Sequence, residues 1–562
     1  MHSWLACGRA SCECIKGHAL FFMLRNPPAA NRAPETMHKK EQNRKEALFM
    51  GVSVKAIALV ILILLCMASF GKSHAMKKRK QIGQVFTPKY LVQDILDISG
   101  YTKSAGILEK HVIDNSCGDG AFLDEIVRRY AAKFLSTNDD RHTLARHLSK
   151  YVHGIEIDPI VYEECIRRLN NLAVQLGLGP VPWDIRNADA LTIRDYDGKM
   201  DYVVGNPPYV RVHNLEENYC KVKSFKFSRG GMTDLYLVFY EIGLRMLSDS
   251  GVLCYITPSS WLNSVAGMNM RDYVRANRCL RGIVDLGHYQ PFDAMAYTAI
   301  VTLCRGNGGS GFLYSTYGGE HLVRKVCRLT YEEAFFLDIL HIGDKDDLKS
   351  FREIVLSEVP RYVDVKNGFA TLADDVFMAE DFPFSEYVIP VLKASTGKWR
   401  KCFFPYDMSG RPIPKETLFQ NKAIKEYLSK HKDALLKDGT ELNKKDWYLF
   451  GRTQALKDVA KEKYAINVCI RDASSIKFNH VPSGSGVYSG LYILTEADEG
   501  LLRQALLNEA FTKYISMLKK YKSGGYYTFS SRDLERYLNY ALHKIQRSSE
   551  QGNVTNKQEM ER

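Results

Sequence analysis

A short polar segment with two prolines, Asn206, Pro207, Pro208 and Tyr209, follows an apolar run that ends at Gly205. Its residue types suit chemistry at a poorly nucleophilic nitrogen, such as a nucleobase amino group, whose lone pair is delocalised into the ring. The Asn206 side-chain oxygen and a carbonyl of the proline turn can accept hydrogen bonds from such a group, and the prolines fix that carbonyl in advance. Tyr209 offers a flat face on which a base can stack. We therefore predict a clamp for a planar amine; the plainer alternative is a rigid surface turn.

A second candidate site is the glycine loop in VIDNSCGDGAF, which begins after Asp114 and precedes a helical pattern. Gly118 and Gly120 let a ligand approach the backbone, and the N-terminus of the following helix adds positive potential. The loop lacks both the G-x-G-x-x-G spacing of dinucleotide sites and the lysine of a P-loop. A diphosphate ligand is therefore not indicated.

Acidic residues also follow the neighbouring apolar runs, since Glu156 ends YVHGIE and Asp189 stands in NADAL. An acid after a strand commonly accepts from ribose hydroxyls, and a further acid can accept from an adenine amino group. Together with Asp114, these acids suit a cationic, adenosine-containing ligand, and S-adenosylmethionine fits. The alternative is that they are caps at strand ends. The stretch from Asp114 to Glu156 exceeds the spacing of about 20 residues in a tight βαβ unit, so we predict an extra helix near 139–150.

The elements that must position these residues alternate between strand and helix. Apolar runs such as DYVVG and TAIVTLC are typical of buried strands, whereas AFLDEIVRRYAAKFL and TDLYLVFYEIGLRML are amphipathic helix patterns, the second closed by SDSG. This alternation predicts an α/β fold with a parallel sheet flanked by helices. The pattern breaks near 320–350, where we place a domain boundary. Segments rich in Tyr, Trp and Lys follow and form a separate C-terminal part.

Length and charge limit the classes of protein that the chain can belong to. Its 562 residues predict two or three domains, and 45% apolar with 25% charged residues is an ordinary globular balance. The formal net charge of +13 is unevenly spread, because residues 331–390 hold 14 acidic and 5 basic residues and residues 391–540 hold 26 basic and 16 acidic ones. A polyanion would meet a basic region in the C-terminal third, although charge alone also fits an ordinary solvated surface.

The first 75 residues differ from the rest of the chain. Residues 56–70 carry no charge, and with their flanks they approach the roughly 20 residues that span a bilayer. Met76 opens MKKRKQIGQVFTPKYLV, which reads as a natural start. We therefore predict that residues 1–75 are an extension from a start site placed too early, with a membrane anchor or a signal-like segment as alternatives. The copy NPPA at 26–29 lacks the aromatic residue and is discarded.

The 13 cysteines are scattered through apolar runs, form no C-x-x-C pair and are closely spaced only at Cys12 and Cys14. This usage fits reduced and mostly buried thiols in the cytoplasm. We predict no structural zinc and no other metal.

With the glycine loop and the NPPY motif in this order, residues 81–545 resemble the gamma class of amino-group DNA methyltransferases, the N6-adenine type found in bacterial restriction–modification systems. GQVFTPKYLV resembles the segment before the glycine loop, and PFDAMAYTAIVTL resembles the segment whose aromatic residue stacks on the flipped base. Asparagine in the first position of NPPY favours adenine. The resemblance implies the following roles: Phe86, Thr87 and Pro88 at the methionine moiety; Asp114, Gly118 and Gly120 in the cofactor loop; Glu156 at the ribose; Asp189 at the adenine; Asn206, Pro207, Pro208 and Tyr209 as the catalytic motif; and Phe292 as the second stacking residue, with Tyr289 and Tyr297 in competition.

The resemblance also implies a Rossmann-like S-adenosylmethionine-dependent methyltransferase domain over 76–330 and a C-terminal α+β target-recognition domain over 331–562. In the latter, Lys393, Arg452 and Gln454 are candidates to reach phosphates or base edges. The implied substrate is double-stranded DNA, from which the target adenine leaves the stack. The protein would be cytoplasmic in a bacterium and associated with DNA rather than membrane, and any cognate restriction endonuclease would act separately.

Other classes of function remain open. A protein glutamine N5-methyltransferase could use the same clamp but has little use for a long basic and aromatic C-terminal part. An RNA base methyltransferase is closer chemically, but the resemblance of the C-terminal part to target-recognition regions favours DNA. A fused restriction–modification enzyme would need the metal-binding acids of a nuclease. The chain has no E-x-K triplet, and DGK at Asp197 and DVK at Asp364 are weak substitutes. A DNA-binding module without catalysis is disfavoured by the two intact motifs.

Overall fold

A computed structural model of the chain describes residues 86–211, 219–229, 233–292, 296–306, 309–436 and 446–560, with side chains as far as residue 548. The predicted N-terminal extension lies outside these residues, and so do its apolar segment 56–70, Cys12, Cys14 and the predicted start at Met76. Residues Gln81–Arg562 form one compact unit. The division into domains at residue 330 therefore stays a prediction.

The largest sheet in the described part of the chain has nine strands. They are β1 (Val112–Asp114), β2 (Val152–Glu156), β3 (Asp184–Asn187), β4 (Met200–Gly205), β5 (Leu247–Pro258), β6 (Leu280–Asp285), β7 (Thr298–Cys304), β8 (Gly311–Tyr317) and β9 (Val323–Thr330). Their order is β3-β2-β1-β4-β5-β7-β6-β8-β9. The first five strands in this order run parallel, whereas β7 and β9 run antiparallel to their neighbours.

The predicted α/β fold is confirmed, but the sheet is mixed rather than purely parallel. β7 lies between β5 and β6 and runs antiparallel to both. The sequence did not reveal this reversal because all seven residues of β7 are buried, and a buried strand has the same apolar pattern in either direction.

The helices that accompany the sheet are α1 (Lys89–Ser99), α2 (Ala121–Leu135), α3 (Arg141–Tyr151), α4 (Pro159–Gln175), α5 (Tyr219–Lys223), α6 (Leu235–Met246) and α7 (Met268–Asn277). The extra helix predicted near 139–150 is α3. The helix expected to close at SDSG ends at Met246, and β5 begins directly at Leu247. The strand starts early because Leu247 pairs with Met200 ahead of a register shift.

Alternate residues of the central strands face two apolar cores. Val203 and Leu253 lie in one core, and the next residues along the chain, Val204 and Cys254, lie in the other. This alternation follows from the two-residue period of a strand. Helices α1 to α4 cover the core that contains Val204, whereas α6 and α7 contribute to the core that contains Val203.

The chain after β9 forms strands and helices in smaller groups, as predicted for an α+β part. These elements are α8 (Tyr331–Ala334), β10 (Phe335–Phe336), β11 (Ile339–Leu340), α9 (Lys345–Leu356), β12 (Val363–Asn367), α10 (Asp374–Phe377), β13 (Met378–Ala379), β14 (Val388–Lys393), β15 (Lys398–Phe403), α11 (Lys415–Leu418), α12 (Lys422–Leu435), β16 (Lys463–Ile466), β17 (Cys469–Ile470), β18 (Phe478–Val481), β19 (Gly486–Tyr488), β20 (Leu491–Thr495), α13 (Glu499–Leu506), α14 (Glu509–Met517), β21 (Tyr521–Lys522), β22 (Tyr526–Thr528) and α15 (Ser531–Met560).

These later elements share a core with the large sheet. Phe351 of α9, Ile493 of β20 and Leu534 of α15 belong to the same buried cluster as Val203 and Leu253. Their smaller sheets have the orders β12-β20-β16-β18, β13-β15-β14-β19 and β17-β22-β21. None of the helices described here combines the length and the apolar character needed to cross a bilayer.

Candidate active site

The two predicted motifs lie at one edge of the large sheet. Strands β1, β2, β3 and β4 are parallel neighbours, so their carboxyl ends meet at the same edge. The glycine loop follows β1, Glu156 ends β2, Asp189 comes after β3, and Asn206 follows β4. Ligands of open α/β sheets bind outside the carboxyl ends of the strands. The fold therefore brings the loop, the acids and the clamp together.

Glu156 holds the glycine loop. The Gly118 backbone N–H donates to Glu156 Oε2 at 2.9 Å, and the Asp158 N–H donates to Oε1 at 2.9 Å. Burial raises the pKa of the Glu156 carboxyl, and these backbone bonds oppose that rise. A carboxylate has about four acceptor positions, so the Glu156 oxygens retain capacity for ribose hydroxyls.

Asp114 lies beneath the junction between the loop and the clamp. Its Oδ1 accepts from the Ser116 N–H at 3.1 Å. A Cβ atom at Gly205 would stand 2.6 Å from the same oxygen, and the Gly205 φ is +152°. Burial is the main cause that raises the pKa of Asp114 to about 8, and the charges of Glu156 and Asp119 add to the rise. The hydrogen bond from Ser116 lowers this pKa but does not offset the rise. Asp114 is 1% exposed, and its carboxylate lies between the Ser116 N–H and Gly205.

Gly120 is required by close packing beneath the loop. It adopts a φ of +85°, and a Cβ there would lie 2.7 Å from the Cys165 Sγ of α4. Cys117 is buried against the same helix, and hydrogen bonding with Cys165 together with burial raises the pKa of its thiol. The loop thus rests directly on α4, with its other face turned outward, since no atom of the described residues lies within 4 Å of the Cβ position at Gly118.

Asp189 lies beside Glu156. The Ala188 N–H donates to the Glu156 carbonyl at 3.0 Å. The Asp189 carboxylate accepts from the Leu191 N–H at 3.0 Å and is 3.9 Å from the Lys221 ammonium. Its side chain is 23% exposed, so it is partly accessible to a ligand.

Thr87 and Asn206 are joined directly. The Asn206 Nδ2 donates to the Thr87 Oγ1 at 3.1 Å. This bond directs the amide NH2 toward the segment before α1 and the amide oxygen away from it. Pro88, the next residue, caps α1 with its carbonyl, which accepts from the Leu91 and Val92 N–H groups. Phe86 is 45% exposed. The sequence had suggested contact of this segment with a cofactor but not with the clamp.

Tyr209 is fixed on the neighbouring strand, because its hydroxyl donates to the Ile256 carbonyl of β5 at 3.1 Å. Its ring is perpendicular to that of Tyr236 at 6.4 Å and lies 6.5 Å from that of Phe292 at an interplanar angle of 75°. Phe292 is therefore next to Tyr209, as the predicted pairing needs. A base held between two rings requires them to be parallel, so Phe292 must rotate if it is to stack on the second face.

The two competing aromatic residues point to other partners. Tyr289 hydrogen-bonds through its hydroxyl to the Tyr90 hydroxyl at 2.9 Å. Tyr297 packs on Tyr521 with ring centroids 5.2 Å apart. The assignment of Phe292 stays a prediction.

The candidates for DNA contact lie after residue 390 and make no hydrogen bond or ion pair, within the described residues, to the loop or the clamp. The Lys393 ammonium stands 6.0 Å above the Tyr488 ring. Gln454 Nε2 donates to the Gly368 carbonyl at 2.6 Å, so it helps to hold the chain around it. Arg452 is exposed. Their contact with DNA stays a prediction.

Sequence reasoning missed the contact between the sheet edge and the chain around residue 520. Asp285 at the end of β6 accepts from the Tyr521 hydroxyl at 2.7 Å and is 3.2 Å from the Lys519 ammonium. No local signal in either segment indicates a contact across more than 230 residues of chain.

Within the described residues, no group of three or more His, Cys, Asp or Glu side chains could hold a metal, and the expected absence of a metal remains a prediction.

The strand order β3-β2-β1-β4-β5-β7-β6, with a glycine loop after β1 and an acid at the end of β2, defines the Rossmann-like fold of S-adenosylmethionine-dependent methyltransferases. The solved structure of the Type IIL restriction-modification enzyme MmeI in complex with DNA matches 79% of this chain and 63% of that chain with a TM-score of 0.53 and 14% identity. At that identity the match supports the fold alone.

Residues 150–292 match the family described as Eco57I restriction-modification methylase. Type II methyltransferase M.BstVI of Geobacillus stearothermophilus is 30% identical over 258 residues, 44% of this chain and 46% of that protein. Type II restriction enzyme and methyltransferase RM.Eco57I of Escherichia coli is 21% identical over 482 residues, 66% of this chain and 48% of that protein. The chain thus matches less than half the length of each relative. The predicted resemblance to restriction–modification methyltransferases is confirmed.

Proposed function

We propose that the protein is a site-specific DNA methyltransferase that transfers a methyl group from S-adenosylmethionine to N6 of adenine. The observation that carries the proposal is the amide clamp at Asn206, held by Thr87 beside the glycine loop at the carboxyl edge of the sheet. Its match to restriction–modification methylases supports a role as the modification enzyme of such a system. A cognate endonuclease would then be a separate protein, and the enzyme would work on DNA in the bacterial cytoplasm.

The residues around the loop fit the cofactor. Glu156 retains acceptor capacity for ribose hydroxyls, Asp189 is open enough to accept from an adenine amino group, and Phe86, Thr87 and Pro88 would border the methionine moiety. The buried Asp114 carboxyl would gain from a nearby cation, because a positive charge favours the ionised form. When bound, S-adenosylmethionine supplies the methyl group as a sulfonium.

The clamp then acts on the target base. The Asn206 amide oxygen and the Pro207 carbonyl accept hydrogen bonds from the amino group, which raises electron density on its nitrogen. Pro208 holds the turn rigid, and Tyr209 supports the face of the extruded base. The gain in rate comes from position and from carbonyls that are already oriented, since neither needs to reorganise during transfer.

The decisive test is modification mapping. The full chain is expressed in a bacterial host that lacks adenine methylation, and genomic DNA is read by single-molecule sequencing, with the Asn206→Ala variant as the matched control. We expect N6-methyladenine in one short sequence context with the wild type and unmodified DNA with the variant, which should still bind the cofactor. Unmodified DNA from a folded, cofactor-binding wild type would contradict the proposal and favour an RNA or protein substrate.

A further inference from the structure

The hairpin of β21 and β22 is anchored at the carboxyl edge of the large sheet. Asp285 is 4% exposed and receives both the Tyr521 hydroxyl at 2.7 Å and the Lys519 ammonium at 3.2 Å. Burial lowers the pKa of Lys519, but the charge of Asp285 and the Tyr314 hydroxyl outweigh it and raise that pKa above the ordinary value. The Lys519 ammonium therefore keeps its charge at neutral pH beside the Asp285 carboxylate. The hairpin is fixed to the strand end rather than resting loosely on it.

Aromatic packing continues from the hairpin toward the clamp. The His288 ring meets Tyr521 at 4.9 Å and Tyr527 at 4.7 Å, and Tyr297 meets Tyr521 at 5.2 Å. The Tyr297 carbonyl accepts from the N–H of Ser259 at 2.8 Å. Ser259 directly follows β5, the strand that holds the hydroxyl of the clamp tyrosine. A continuous set of contacts therefore links the hairpin to the proposed catalytic pocket.

The tip of the hairpin offers cationic groups to solvent. Lys519 and Lys520 are paired with Asp285 and Asp533, whereas Lys522 is exposed and makes no ion pair or side-chain hydrogen bond with another described residue. The turn that follows Lys522 contains Gly524 and Gly525, which both have positive φ. Because glycine has no side chain, a ligand can reach the backbone of this turn.

Arg471 supplies a second cation at the tip. It follows β17, which pairs with β22, and its side chain is 56% exposed. Its guanidinium lies 5.7 Å from the Tyr526 ring centroid, and its stem covers Gly525. Nε interacts with Asp472 at 3.0 Å, and a guanidinium has further donors suited to two-point contact with a phosphate.

We propose that Lys522 and Arg471 each hold a backbone phosphate of the DNA at the hairpin tip and thereby set the position of the duplex relative to the clamp. The inference rests on the proposed function and adds the surface by which the duplex is positioned. Because phosphate contacts carry no sequence information, the hairpin would act on every duplex alike. Its rigid attachment to β6 would transmit that position to the sheet edge.

The test is the salt dependence of DNA binding by the full-length protein, measured with S-adenosylhomocysteine present so that no methyl transfer occurs. Two duplexes of equal length and different sequence are titrated with the wild type, Lys522→Gln, Arg471→Gln and the double variant. Lys199→Gln and Arg281→Gln are matched controls, because both residues are exposed and lie at or next to the amino ends of β4 and β6, on the opposite edge.

We expect each hairpin substitution to reduce the slope of log affinity against log salt by about 1, by the same factor on both duplexes, while the controls keep the wild-type slope. A charge-reversal variant, Lys522→Glu, should weaken binding further. Unchanged cofactor affinity shows that the variants are folded. Hairpin variants that bind with the wild-type slope overturn the inference alone, whereas a wild type that binds the cofactor but neither duplex overturns the proposed function with it.

Discussion

The Asn206 amide nitrogen donates to the Thr87 hydroxyl oxygen at 3.1 Å, across 119 residues of chain. This bond links the segment that precedes α1 to the clamp that follows β4. In the observed orientation of the amide, its oxygen is directed away from Thr87. Thr87 is therefore a positioning residue for Asn206 in addition to its predicted place beside the methionine moiety.

Replacing Thr87 with valine tests this role. The methyl group has nearly the volume of the hydroxyl but accepts no hydrogen bond. We expect the loss of about 1 kcal/mol of the free energy that holds the Asn206 amide in place, and therefore a roughly fivefold lower kcat. Cofactor affinity should change little, and Thr87→Ser should restore the rate. Steady-state kinetics with a separate measurement of cofactor binding decides the matter: weaker cofactor binding with normal kcat would assign Thr87 to the cofactor alone.

The buried carboxyl of Asp114 predicts a specific pH dependence of stability. Its pKa rises from 3.8 to about 8 on folding, so between these values the folded chain keeps a proton that the unfolded chain has released. Stability must then fall as pH rises through this window. We expect Asp114→Asn to remove much of that slope in denaturant unfolding measured across the window. A slope that is equal in both proteins would show that Asp114 ionises normally.

The same carboxyl should couple to the cofactor. A bound cation favours the ionised form of Asp114, so cofactor affinity is expected to rise with pH toward the pKa of about 8 and then level off. Calorimetric titration in two buffers of different ionisation enthalpy would detect the accompanying proton release. Affinity and proton release that do not change with pH would separate Asp114 from the cofactor.

Gly205 is the position where a single methyl group should be most harmful. A Cβ would lie 2.6 Å from Asp114 Oδ1, and the residue has a φ of +152°. We expect Gly205→Ala to lower the free energy of unfolding by about 2–3 kcal/mol. Gly106→Ala is the control, because its Cβ position has no atom within 4 Å in the part of the chain that the structure describes, and it should change stability by less than about 1 kcal/mol. Equal effects of the two substitutions would contradict the assignment of strain to Gly205.

The ion pair between Asp285 and Lys519 should matter far more than a surface pair. Lys519→Met leaves a carboxylate that is 4% exposed without its cation, and we expect a loss of about 3 kcal/mol of stability. Adding Asp285→Asn should recover part of it. Lys345→Met breaks the exposed pair with Glu333 and should cost less than about 1 kcal/mol. Thermal or denaturant unfolding compares the variants, and an additive double variant would show that the two residues do not interact.

The sequence alone predicted those parts of the candidate site that consist of consecutive residues. A strand, a glycine turn and a helix leave a continuous pattern, which is why the loop at Gly118 and Gly120 and the strand before Asn206 were recognised. The acids at Glu156 and Asp189 follow from the same pattern of strand ends. The extra helix α3 was inferred from the length that it had to fill.

What escaped prediction depends on contacts between distant segments. The position and direction of β7 between β5 and β6 cannot be read from its sequence, because all residues of this strand are buried and its apolar pattern is the same in either direction. The Thr87 bond to Asn206 requires the order of strands to be known first. The contact of Tyr521 with Asp285 requires, in addition, the packing of the C-terminal elements on the sheet, which neither segment encodes by itself.

The apolar core that contains Leu253 of β5 also contains Phe351 of α9 and Leu534 of α15. The large sheet and the C-terminal part that is predicted to recognise DNA thus fold on a common interior. A C-terminal part built in this way cannot be exchanged as a unit between relatives, because its removal would expose apolar residues on one face of the large sheet. If the C-terminal part recognises DNA, exchanging its exposed turns leaves the shared core intact, whereas exchanging the whole part does not.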